Sequence, residues 1–221
     1  MPQARCLCLL EFFAMSSLHQ TLPKHLPPVV ALLGGSFNPA HEGHVHISRE
    51  AMRLLGISQV WWMVSPQNPL KPVKDMADFN DRMAHALKLA QCDPRITVTD
   101  IEAKLGSRHT ARTLRLLQKH YPNTRFIWLM GADNLADIHH WEKWTRIFNK
   151  CPILVLDRAP LSHRALHAKA AIYFKKQRVD MRQTRQLKHA NTPIWCFAHI
   201  KRHPASATDL RKTLGKKAFL S

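Results

Sequence analysis

The sequence predicts a doubly wound α/β domain, a mostly parallel sheet with helices on both faces, and three observations carry that expectation. Six short apolar runs recur along the chain; a polar stretch of helical character follows each; and the runs are too continuously apolar for a sheet with one wet face. In order the runs are Val29–Leu33, Gln59–Val64, Ile96–Ile101, Arg125–Met130, Pro152–Leu156 and Ile194–Ala198. The first, VVALL, lies between the proline-rich lead-in TLPKHLPP and the glycine pair Gly34-Gly35, and Glu42–Leu55 is the helix that follows it. The second ends at SPQNPLK, whose prolines mark a loop, with a helix over Asp81–Gln91. Helices are then expected over Thr110–His120, Trp141–Asn149, His163–Lys176 and Ala207–Leu214. Residues 1–28 read as an N-terminal extension and 29–221 as a single domain; 1–27 and the polar stretch 175–190 are expected to be mobile.

At 221 residues the chain is long enough for one sizeable core. An apolar fraction of 45% with 22% charged residues is that of a soluble globular protein, and no run approaches the roughly 18 apolar residues of a membrane helix. The net charge of +18 attracts anions, and the last 64 residues hold fifteen Lys or Arg against two acids. No aromatic and basic alternation accompanies that charge, so a solvated basic surface is the simpler reading and nucleic acid is not an expected partner. Five scattered cysteines without a C-x-x-C pair fit a reduced, cytoplasmic setting. Arg5 precedes an apolar run that Glu11 interrupts, which argues against a signal peptide; Met15 is an alternative initiator. A homo-oligomer is neither specified nor opposed.

In doubly wound sheets ligands collect beyond the carboxyl ends of the strands. The stretches with chemical character fall there: GGSFNPAHEGH (Gly34–His44) after the first run, SPQNPLK (Ser65–Lys71) after the second, GADN after the fourth and ASATDLR (Ala205–Arg211) after the sixth. Gly34 and Gly35 permit a sharp turn and close approach of a phosphate. His41 and His44, three apart, would share one face of a helix start beside its unpaired amide hydrogens, an arrangement suited to an anion. Neither G-x-x-x-x-G-K-[ST] nor G-x-G-x-x-G is present. A zinc site is not expected, because Glu42 is the one acid near the histidines. Ser206 or Thr208 can cap a helix whose Arg211 offers a planar fork for phosphate.

Gly34–His44 resembles the G-[GT]-[ST]-F-[DN]-P-x-H-x-G-H signature of the nucleotidyltransferase superfamily, which implies a Rossmann-like fold and two histidines against the triphosphate of ATP. ASATDLR is similar to the superfamily's second element, I-S-S-T-x-[IL]-R; Ser206, Thr208, Leu210 and Arg211 match, while Ala205 and Ala207 depart. Residues 29–214 resemble the bacterial nicotinate-nucleotide adenylyltransferases through SPQNPLK, GADNL and WEKW. The resemblance implies His41, His44 and Arg211 as catalytic donors. It places Gly34, Gly35, Ser36, Phe37, Asp133, Ser206, Thr208 and Arg211 around ATP, and Asn68, Lys71, Thr110, Asn134 and Trp141 around nicotinate mononucleotide. Trp141 would stack on the nicotinate ring, which is sound chemistry for indole and an electron-poor pyridine. SRHTARTL keeps Thr110, Thr113 and Leu114 of the family's carboxylate-receiving segment, with His109 and Arg112 replacing tyrosine and aspartate.

The implied reaction transfers AMP from ATP to nicotinate mononucleotide, with Mg²⁺ entering on the ATP phosphates and no metal held by the protein. The nucleophile is already an anion, so positioning and charge stabilisation carry the catalysis. Two alternatives remain open at this level: the same fold acting on nicotinamide mononucleotide or another phosphate ester, and a basic nucleic-acid-binding protein with a degenerate nucleotide site.

Overall fold

The structure, a computed structural model, describes residues 26–66, 76–157, 162–201 and 203. Among the described residues seven strands form one sheet: β1 (Val29–Gly35), β2 (Val60–Val64), β3 (Ile96–Thr99), β4 (Arg125–Gly131), β5 (Ile153–Asp157), β6 (Arg178–Val179) and β7 (Trp195–His199). The order is β3-β2-β1-β4-β5-β7-β6 and every pairing is parallel, so the sheet is wholly rather than mostly parallel. Helices α1 (Glu42–Leu55), α2 (Phe79–Ala90), α3 (Ile101–Lys104), α4 (Thr110–His120), α5 (Ala132–Asp137), α6 (Trp144–Lys150), α7 (Ser162–Leu166) and α8 (Lys169–Tyr173) connect and cover it. None among the described residues is long and apolar enough to cross a membrane.

Alternate residues of each strand feed two separate cores. Val30, Leu32, Trp61, Met63 and Trp128 pack on one side; Ala31, Leu33, Val60, Trp62 and Leu129 pack with α1 on the other. Both faces are therefore dry, which explains why the runs show no polar alternation. Trp61, Trp62 and Trp195 are fully buried. Removing each such side chain from water contributes on the order of 2 kcal/mol or more.

Three elements differ from the sequence expectation. The third run stops at Thr99, whose hydroxyl accepts the Ile101 N–H at 3.2 Å and turns the chain into α3. Trp141 does not begin α6: it caps a 3₁₀ turn over Ile138–His140, and Lys143 at φ 51° separates the two. The expected helix His163–Lys176 is broken into α7, α8 and a 3₁₀ turn over Lys175–Gln177.

The stretch 175–190, expected to be mobile, is built structure. It supplies β6 and a 3₁₀ helix over Met181–Lys188 that buries Thr184 and Leu187. These two lie three apart, one turn of a 3₁₀ helix, so a single apolar edge suffices to dock it. The expected helix Ala207–Leu214 and residues 1–25 of the N-terminal extension lie outside the described residues.

Candidate active site

β1 and β4 are neighbours in the sheet although β2 and β3 intervene in the chain, so the connections leave in opposite directions at this point. Such a switch opens a crevice beyond the strand ends. GGSFNPAHEGH leaves β1 there and GADN leaves β4 beside it.

His41 is the N-cap of α1, and its Nδ1 accepts the Gly43 N–H at 3.1 Å. His44 answers reciprocally: its Nδ1 accepts the His41 N–H at 3.1 Å. The two imidazoles thus satisfy two of the amide hydrogens that every helix start leaves unpaired. Each Nδ1 is an acceptor, so the ring proton of each neutral imidazole resides on Nε2, which becomes a hydrogen-bond donor of defined direction. The ring centroids lie 4.0 Å apart, and Phe37 packs 4.8 Å from His44 while stacking on Trp62 at 5.2 Å. Trp62 Nε1–H donates to Ser48 Oγ at 2.7 Å, and Ser48 donates to the His44 carbonyl at 2.8 Å. The first turn of α1 is therefore held from the sheet.

Gly34 is required for a different reason from the one the sequence suggested. A Cβ there would collide with the Trp128 ring of β4, so the missing side chain is space for the core. A Cβ at Gly35 would make only ordinary contacts with Phe37. Ser36 is half-buried, and Phe37, at φ 46°, is buried in a backbone region that L side chains rarely occupy. Burial and ring packing hold it there.

On the opposite face, Asp133 and Asn134 lie in the first turn of α5, whose N-cap is Gly131 without a side-chain cap; Asp133 is exposed and Asn134 half-buried. Trp141 is partly buried against the core, whereas Trp144 is committed to packing with Phe148, Tyr173 and Phe174. Thr110 opens α4 and is half-buried. Thr113 is fully buried, with its hydroxyl among the Ser107 hydroxyl at 2.9 Å, Glu102 at 3.3 Å and the His109 carbonyl at 3.3 Å. Arg112 points outward. His109, which replaces the family tyrosine, reaches Glu142 at 3.2 Å and so links the start of α4 to the loop carrying Trp141.

Asn68, Lys71, Ser206, Thr208 and Arg211 lie outside the described residues. The chain leading to the last three is described: His46 Nε2–H donates to the Lys201 carbonyl at 2.6 Å, and the His203 ring lies 5.7 Å from that of His46. The exit from β7 therefore runs beside the first turns of α1.

Sequence reasoning missed two buried charges beneath the crevice. Arg82 of α2 is 1% exposed and donates to the carbonyls of Ser36, Ser65, Pro66 and Ala77. Burial lowers its guanidinium from the usual range, partly offset by Asp78. Glu102 of α3 is 6% exposed; burial raises its carboxyl above the ordinary value, opposed by hydrogen bonds from Thr113 and Ser65. The available signal was placement: Arg82 shares the buried face of α2 with Met83, Ala86 and Ala90.

Residues 32–213 match the family model for cytidylyltransferase-like proteins. The chain is 45% identical to a protein of Cereibacter sphaeroides described as "Probable nicotinate-nucleotide adenylyltransferase", over 84% of this chain and 97% of that one. It is 43% identical to a Roseobacter denitrificans protein of the same description, over 90% and 99%. Among solved structures, Plasmodium falciparum nicotinic acid mononucleotide adenylyltransferase complexed with NaAD has the same fold, with a TM-score of 0.62 at 19% identity over 86% of this chain and 85% of that one. Fold and switch-point site thus define a nucleotidyltransferase of the cytidylyltransferase-like class. Within that class the chain belongs to the nicotinate-nucleotide adenylyltransferase family.

Proposed function

We propose that the protein transfers AMP from ATP to the 5′-phosphate of nicotinate mononucleotide, forming nicotinate adenine dinucleotide and pyrophosphate. Family membership at 43–46% identity over most of the chain supports the activity. The observation that supports the mechanism is the reciprocal capping by His41 and His44, which makes Nδ1 the acceptor in both rings and so directs each ring N–H to Nε2 beside a helix N-terminus.

A phosphate oxygen of nicotinate mononucleotide attacks the α-phosphorus of ATP as the bond to the bridging oxygen breaks, and pyrophosphate leaves with the electron pair. No general base is needed, because the attacking oxygen is already anionic. The work of the protein is to hold two polyanions in line and to stabilise the charge that grows on the leaving group. His41 and His44 supply donors for it. Arg211 adds a guanidinium: it follows His203 by eight residues, a tether of at most about 29 Å, and His203 already lies against α1.

Gly34, Gly35, Ser36 and Phe37 form the ATP-side wall, joined by Asp133 near the nucleoside and by Ser206 and Thr208 near the phosphates. Trp141 stacks on the nicotinate ring, the start of α4 at Thr110 receives the nicotinate carboxylate, and Asn134, Asn68 and Lys71 complete that half. The donors nearest the triphosphate are imidazole N–H groups and amides, which suit phosphate oxygens and not a hard cation. Mg²⁺ carried on the ATP phosphates would neutralise phosphate charge, with these residues bonding the phosphate oxygens and not the ion.

The test is pyrophosphate release with ATP and Mg²⁺, comparing nicotinate with nicotinamide mononucleotide. Turnover preferring the acid is expected; turnover confined to the amide, or to neither, would overturn the assignment.

A further inference from the structure

The geometry points to Arg82 as a positioning residue for adenylyl transfer, holding the loop after β1 and the loop after β2 in one fixed relation. The inference rests on the activity proposed above and adds to it a residue outside the nucleotidyltransferase motifs.

Arg82 lies in α2, yet its guanidinium reaches three other places. Nη1 donates to the Ser36 carbonyl at 2.6 Å and to the Ser65 carbonyl at 2.8 Å, Nη2 to the Pro66 carbonyl at 2.9 Å, and Nε to the Ala77 carbonyl at 3.1 Å. Ser36 follows β1, on the ATP side; Ser65 and Pro66 follow β2 and open the segment that carries Asn68 and Lys71, on the nicotinate mononucleotide side. Among the described residues no carboxylate lies within ion-pair distance of Arg82. Among the described residues its hydrogen bonds all go to neutral carbonyls, with the Phe79 ring 5.4 Å from the guanidinium and Asp78 at longer range; a buried cation held in this way is an expensive brace, and a neutral side chain could tie loops together at lower cost. Beneath a crevice for two polyanions the same charge favours both ligands.

The brace also sets an orientation. Across a trans peptide the C=O and the following N–H point in opposite directions. Drawing the Ser36 carbonyl inward to Arg82 therefore turns the Phe37 N–H the other way, at the residue whose φ is 46°.

Ser65 is gripped from a second side. Its N–H donates to the Gly35 carbonyl at 2.9 Å, its carbonyl accepts from Arg82, and its hydroxyl hydrogen-bonds Glu102. Glu102 in turn accepts from Thr113 of α4, the helix whose start is assigned to the nicotinate carboxylate. Ser65 is thus the joint between the two substrate halves, and Arg82 is the contact that ties it to Ser36.

The experiment compares wild type, Arg82→Gln and Arg82→Lys by steady-state pyrophosphate release with each substrate varied, alongside Tm. Misplacing reacting groups by about 1 Å costs on the order of 100-fold in rate. Arg82→Gln is therefore expected to lower kcat by roughly 30- to 100-fold, with smaller changes in either KM. Arg82→Lys, which keeps the charge and part of the bonding, should recover part of the loss, with kcat roughly three- to tenfold below wild type. A folded Arg82→Gln enzyme with a lower Tm but kcat and both KM values within about twofold of wild type would reduce Arg82 to a scaffold residue and overturn the inference. If Arg82→Gln does not fold, Arg82→Lys decides by the same criterion. Wild-type turnover on nicotinate mononucleotide, measured in parallel, tests the underlying activity separately.

Discussion

The two ends of the crevice are built differently. At the end proposed for the phosphates, His41 and His44 are locked by main-chain hydrogen bonds, Phe37 is buried, and Ser48 and Trp62 hold the first turn of α1 from the sheet. At the end proposed for nicotinate, His109 meets Glu142 at 3.2 Å with both side chains more than 40% exposed, Glu142 also meets Lys143, and Trp141 is only partly buried. Donors for a growing charge gain most when they need not move during the reaction. Recognition of a flat ring tolerates a more adjustable frame. Under the proposed function the chemistry falls to the rigid end and the choice of acceptor to the softer one.

Breaking the rigid end has the largest expected effect. His44→Ala should lower kcat by about 100-fold or more, as for loss of one oxyanion-type donor. Two further substitutions divide the two jobs of the ring. Asn can place an oxygen near the Nδ1 position and keep the cap while losing the outward donor, so His44→Asn should preserve Tm better than Ala yet remain inactive. His44→Gln, which can present an N–H near the Nε2 position, should recover more turnover than His44→Asn. Equal activity of the two would mean that the outward donor plays no part.

At the softer end, Trp141→Ala should raise KM for nicotinate mononucleotide about tenfold, the size of one lost aromatic stack, and leave KM for ATP nearly unchanged. Trp144→Ala should do the reverse of a specificity change: lower Tm by several degrees through its contacts with Phe148, Tyr173 and Phe174, with little effect on either KM. A matched rise in both KM values for Trp141→Ala would erase the distinction between the ends.

The supports of the two ends also titrate in opposite senses. Asp93 anchors α1 through Arg49 and is held well below the usual carboxylate range, chiefly by Arg95. Its depressed value makes the stabilisation complete above the unfolded value of about 4 and lost as pH falls below it. Burial raises Glu102 instead, so ionisation opposes folding and wild type loses ground as pH rises above about 4. Denaturant titrations should show Asp93→Asn most harmful near neutrality and converging with wild type in acid. Glu102→Gln should compare with wild type more favourably at pH 8 than at pH 4. The reverse order for either variant would show that its carboxyl is not held as described. The smallest effect is expected for Glu142→Gln, whose exposed pair should leave Tm almost unmoved in a thermal melt and kcat unchanged.

Much of this was legible because apolar runs and glycine-rich turns report directly on buried strands and their exits. All six runs contain a strand, and the paired histidines fall at a helix start. Their reciprocal caps were not legible, since spacing alone does not say which ring nitrogen faces the backbone. Arg82 and Glu102 escaped because a charged residue in a helix reads as solvated until its neighbours across the fold are known. Gly34 was legible as a glycine of a sharp turn at a phosphate; that its missing side chain makes room for Trp128 was not, because that ring comes from a strand more than ninety residues away.

The sheet order has a consequence for how the chain is made. β1 is the first strand in the sequence yet sits between β2 and β4, with Val29 opposite Arg125. During synthesis one flank of β1 lacks its partner until the fourth strand has emerged, so a nascent chain that pauses earlier presents an apolar edge with unpaired main-chain groups. Truncations ending shortly before residue 125 are accordingly the ones expected to aggregate on expression.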